Sequence, residues 1–114
     1  MVKSIIPSPL ERRHLIEKDL DEKTALKIAQ AYLDDGRKNE AIDFLAKVNA
    51  TEQLQALAEG AIVDGDPFLL QSVSRVTGEE PNRAAWSRCA EAAENAGKLR
   101  YAETARKSAA RSEG

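Results

Sequence analysis

The sequence predicts an all-α protein of three stacked antiparallel helical hairpins, with an extra helix at the N-terminal end. Three observations carry this. Apolar residues recur at three- and four-residue spacing almost throughout, and no stretch alternates as a strand would. Gly36, Gly65 and Gly97 each part a long first helix from a second one, which is where a left-handed C-cap belongs. Those glycines stand 29 and 32 residues apart, an interval typical of helical solenoids, whose hairpins bury their apolar faces by stacking.

Residues 1–7 read as a tail, residues 8–111 as one helical domain, and residues 112–114 as a second tail. Ser8 with Pro9 opens a helix over 8–18, where Leu10, Leu15 and Ile16 give a partial apolar face to cover the first hairpin. This reading leaves open whether that helix is separate or one arm of a kinked longer one.

The first hairpin spans about residues 20–48. Asp19 and Glu22 have capping-box spacing, and Ala25, Ile28, Ala29 and Tyr32 line one face of the helix that follows. After Gly36, the second helix carries Ala41, Ile42, Leu45 and Val48. The second hairpin, 51–77, is capped by Asn49 or Thr51 and bears Leu54, Leu57, Ala58 and Ala61. Asp66-Pro67 then starts a helix, since proline at the first helical position gives up only an N–H that would be unpaired anyway. That helix carries Phe68, Leu69, Leu70, Val73 and Val76, and Gly78 closes it. The third hairpin, 81–111, has Trp86, Cys89, Ala90 and Ala93 on one stripe and Tyr101, Ala102, Ala105 and Ala109 on the next. Trp86 is expected to be buried between the second and third hairpins.

Composition narrows the function. Seventeen basic and nineteen acidic residues give a net charge of -2, without the basic excess of a general nucleic-acid binder. Ile5-Ile6 runs straight into Pro7, so no secretory leader is expected, and no apolar run spans a bilayer. The single Cys89 has no intramolecular disulfide partner, and a cytoplasmic location is the expectation.

The chemistry of known site types is thin. His14 is the one histidine, so no triad with a histidine base can be assembled, and it reads as a surface residue. Cys89, three residues after Trp86 on an apolar stripe, reads as a buried structural thiol. No phosphate loop, dinucleotide motif or metal-ligand spacing occurs. Asp64-Gly65-Asp66 opens like a calcium loop, but Pro67, Phe68, Leu69 and Leu70 stand where ligands should follow. The expectation is a non-enzymatic protein without a cofactor. Glu59, Glu91 and Glu94 could gather on one polar face, and the last helix is basic through Lys98, Arg100, Arg106, Lys107 and Arg111.

The first hairpin resembles a tetratricopeptide repeat. Ala29, Tyr32, Gly36, Ala41, Phe44, Leu45 and Val48 stand in the register of one whole repeat, and Trp86, Ala90, Gly97 and Ala102 match the third unit. The middle unit departs, with Leu70 where the family prefers alanine. The resemblance covers roughly residues 21–111. It implies a right-handed stack whose first helices line a concave peptide-binding face.

By spacing and by that resemblance, the groove stripe of the first unit holds Lys23, Leu26, Lys27, Gln30, Leu33 and Asp34. In the second unit it holds Glu52, Gln55, Glu59, Ile62 and Val63, and in the third Ala84, Ser87, Arg88, Glu91, Glu94 and Asn95. A carboxylate clamp of the kind some family members use is not expected, because Glu59 would repel the group it should hold. A partner segment with apolar anchors and basic residues fits instead. Two alternatives stand beside this adaptor reading. One is self-association of the acidic segment Glu52, Glu59, Asp64 and Asp66 with a neighbour's basic last helix. The other is nucleic-acid binding through that helix, against which the lack of interleaved aromatics counts.

Overall fold

The computed structural model describes residues 6–10, 13 and 21–112. Six helices follow one another in the continuous part: α1 Glu22–Asp34, α2 Lys38–Lys47, α3 Thr51–Asp64, α4 Pro67–Thr77, α5 Arg83–Asn95 and α6 Leu99–Arg111. No strand occurs among the described residues. Of the expected helix over 8–18, Pro9, Leu10 and Arg13 are helical and Leu10 is exposed; Leu15, Ile16 and His14 lie outside the described residues. Among the described residues, no helix is long and apolar enough to cross a membrane.

The turns follow from the glycines. At Gly36, φ is +76°, the Arg37 amide donates to the Tyr32 carbonyl at 2.8 Å, and the Gly36 amide donates to Leu33 at 3.0 Å. That pair of bonds satisfies carbonyls the helix end would leave orphaned, and it needs a left-handed residue, which glycine adopts without a Cβ penalty. The same pair recurs at Gly65, where Asp66 bonds Ala61, and at Gly97, where Lys98 bonds Ala93. Asn49 repeats it between the hairpins with φ +53°, the Ala50 amide reaching Leu45 at 2.9 Å. Asn49 therefore ends α2 and does not cap α3. Asparagine tolerates that left-handed geometry better than most side chains.

Helix starts are partly side-chain capped. The Asp66 carboxylate accepts from the Leu69 amide at 3.1 Å with Pro67 at the first helical position, and Asn82 accepts from Ala85 at 2.8 Å. The cap of α1 is Asp21, in extended backbone and without a side-chain bond, and Asp19 of the expected capping box lies outside the described residues.

The chain forms two compact units, Met1–Gln53 and Leu54–Gly114. In the first, Ala25, Ile28, Ala29 and Tyr32 of α1 pack on Ala41, Ile42, Phe44 and Leu45 of α2. The Tyr32 and Phe44 rings stack with centroids 5.6 Å apart, and the Arg37 guanidinium lies 4.9 Å over the tyrosine ring. Phe44 takes the buried position expected of Val48, which the turn at Asn49 leaves half-buried.

In the second unit, Leu54, Ala61, Ile62, Leu69, Leu70, Val73, Trp86, Cys89, Ala90, Ala93, Ala102, Ala105 and Ala109 are buried. The run Phe68, Leu69, Leu70 is split as helical geometry demands: Phe68 is half exposed and sets its ring edge-on to Tyr101 of α6 at 5.2 Å. Trp86 is buried, as its place on the stripe predicts.

Candidate binding surface

Within the second unit, first helix lies beside first helix. Gly65, at the end of α3, abuts the backbone of Ala93 on α5, and the Cys89 thiol of α5 points at the Ala61 carbonyl of α3 at 3.8 Å. One turn away, Arg88 of α5 donates to Glu59 of α3 at 2.7 Å. Second helix meets second helix through Phe68 of α4 and Tyr101 of α6.

This geometry sorts the expected groove residues. Gln55, Glu59, Val63, Arg88, Glu91 and Glu94 are exposed on α3 and α5. Ile62 is buried, only 7% exposed, so it supports the surface from below and is not an anchor on it. A helix turns 100° per residue, and Val63, 64% exposed, takes the outward place. In the first unit Lys27 and Gln30 are exposed and Leu33 is half-buried, while Gln30 donates to Asp34 at 2.9 Å.

The three glutamates do not act as one acidic group. Glu59 is held by Arg88, and Glu94 is paired with Arg106 of α6. Glu91 makes no ion pair or hydrogen bond with a described side chain. Among the described residues no three acidic, thiol or imidazole groups gather so that they could hold a metal ion. Most cations of the basic last helix are likewise engaged. Arg106 takes Glu94, Lys107 lies 3.4 Å from Glu103, and Lys98 donates to the Asp64 carbonyl at 3.1 Å and stands over the Tyr101 ring.

Cys89 is fully buried. Burial, reinforced by the nearby Asp66 and opposed by Lys98, pushes its thiol up to about 11. The thiolate a nucleophile needs is therefore disfavoured at neutral pH.

One feature escaped the reading of the sequence. A cleft of about 690 Å³ opens in the second unit between Gln71, Ser74 and Arg75 of α4, Glu80, Pro81 and Asn82 of the 78–82 linker, Trp86 of α5, and Ser108, Arg111 and Ser112 at the end of α6. Its members come from four segments, and no spacing in the sequence relates Arg75 to Arg111. The chain matches no known family model, no curated protein and no solved structure.

Proposed function

We propose that this chain is a non-catalytic interaction module, tetratricopeptide-like in type, that holds a segment of another protein against the exposed face of its first helices. The observation that supports this is the first-helix-on-first-helix contact of the second unit, made by Gly65 with Ala93, Cys89 with Ala61 and Arg88 with Glu59. Stacking of that kind leaves one side of α3 and α5 as a continuous surface. On it Val63 supplies an apolar contact and Glu91 an unpaired negative charge. A partner segment carrying an apolar anchor and a basic residue complements that pair.

Two of the charges that a self-associating reading would pair between copies, Glu59 and Arg106, are already paired inside the second unit, with Arg88 and Glu94. The adaptor reading is therefore preferred.

The test is an array of peptides combining apolar and basic residues, probed with the parent chain, Val63→Asp and Glu91→Lys. Both positions are exposed, so both variants should melt as the parent does. Selective capture of such peptides by the parent, lost in both variants, supports the proposal. Equal capture by the folded variants, or none by the parent, sinks it.

A further inference from the structure

We propose that the cleft between α4, the 78–82 linker and the end of α6 is a second binding site, one that takes an acidic peptide segment of a partner protein. It uses neither Val63 nor Glu91, so it stands apart from the first-helix face.

The charge pattern is the first argument. Arg88 and Arg106 each have a carboxylate, and Arg83 donates to the Ser112 carbonyl at 3.1 Å. The two arginines of the cleft differ. Arg75 has no ion pair or hydrogen bond with a described residue, and Arg111 reaches only the Ser108 hydroxyl, at 3.5 Å. A guanidinium is a planar five-donor group matched to carboxylate geometry, and here two of them line one concavity without a carboxylate bound to either.

The walls suit a peptide. Gln71, Ser74, Asn82 and Ser108 offer amides and hydroxyls for backbone N–H and C=O groups, and Pro81 adds apolar surface. The cleft falls within the roughly 300–1,000 Å³ usual for binding sites. It is also held in shape: the Ser112 hydroxyl donates to the Pro81 carbonyl at 3.2 Å, Arg83 grips Ser112, and Asn82 caps α5. Walls tied in this way lower the ordering cost of binding.

The same residues disfavour nucleic acid. Glu80 lines the cleft and Glu79 adjoins it, which repels a chain of phosphates. Trp86, only 4% exposed, has no free face on which a base could stack. A peptide instead brings isolated carboxylates for Arg75 and Arg111, and N–H donors for Glu80.

Trp86 is the single tryptophan of the chain, so its fluorescence reports on this cleft, and titration calorimetry reads binding independently. The probe is a blocked glutamine-rich peptide carrying two separated glutamates, with the all-glutamine analogue, inorganic phosphate and a single-stranded oligonucleotide as comparisons. The expected result is saturable binding of the glutamate peptide alone, weakened roughly tenfold by Arg75→Gln and by Arg111→Gln. Arg100→Gln, an equally exposed change on α6 outside the cleft, should leave it unchanged, as should Val63→Asp. No calorimetric binding, equal binding of the glutamine peptide, tighter binding of phosphate or oligonucleotide, or an unaltered Arg75→Gln/Arg111→Gln double variant would overturn the proposal.

Discussion

Gly65 sits so close to Ala93 that a β-carbon at residue 65 would stand 2.6 Å from the Ala93 Cα and 2.9 Å from its Cβ. The glycine thus does two things at once. It takes the left-handed φ of +69° that ends α3, and it lets α3 and α5 touch backbone to backbone. Gly36 takes the same φ region with nothing within 4 Å of the added atom. Gly36→Ala should therefore cost only the left-handed penalty of roughly 1–2 kcal/mol. Gly65→Ala adds overpacking against a backbone that cannot rotate away, and should cost at least ~3 kcal/mol. Denaturant unfolding of the two variants checks this, and equal losses would refute the close approach.

Trp86→Ala should destabilise the chain by about 3–5 kcal/mol, because it empties a large buried site. Tyr32→Ala should also destabilise, by removing the ring that stacks on Phe44. A melting temperature within a few degrees of the parent for Trp86→Ala would mean that the indole is not part of the core.

The Arg88–Glu59 pair joins α3 to α5 at 2.7 Å, yet both side chains are 57% exposed. Solvent screening and side-chain entropy should hold its coupling energy below about 1 kcal/mol in a double-mutant cycle, and salt should reduce it further. A coupling of several kcal/mol would show that the pair is desolvated.

Cys89 gives a pH signature. Its thiol is pushed from 9.0 to about 11 by burial, so between those values the folded chain keeps a proton that the unfolded chain has released. The unfolded state binds fewer protons there, and stability must fall as pH rises through that window. The contribution is fully present below pH 9 and lost toward pH 11, with a total on the order of 2 kcal/mol. Cys89→Ala should remove this part of the pH dependence. Thiol reagents at pH 8 should leave the folded chain unmodified and label it readily in denaturant.

Much of the local structure was legible because it rests on local chemistry. The left-handed turns at Gly36, Gly65 and Gly97 and the Asp66-Pro67 start need only neighbours a few residues away. The sequence offers Asn49 or Thr51 as a cap for α3, but Asn49 ends α2, and Asn82 caps α5. Asparagine serves N-caps and left-handed C-caps equally well, and only the path of the chain chooses between them. Phe68 and Val76 belong to an apolar run that hides its own phase; the helix turns them outward and leaves Leu69, Leu70 and Val73 inside.

The sequence by itself determined the all-helical class, the helix ends at glycine and at Asp66-Pro67, and the main buried stripes, since these follow from 3.6-residue periodicity and capping. It also held Trp86 and Cys89 to the core, as large or weakly polar groups on apolar stripes. Only the tertiary structure decided which charges meet. Arg88 finds Glu59 and Arg106 finds Glu94, while Arg75 and Arg111 are brought to one cleft where neither pairs with an acid. The physical reason is that a long charged side chain on a solvated face has no preferred partner along the chain. Its neighbours are set by how helices distant in sequence pack, and apolar burial rather than charge directs that packing.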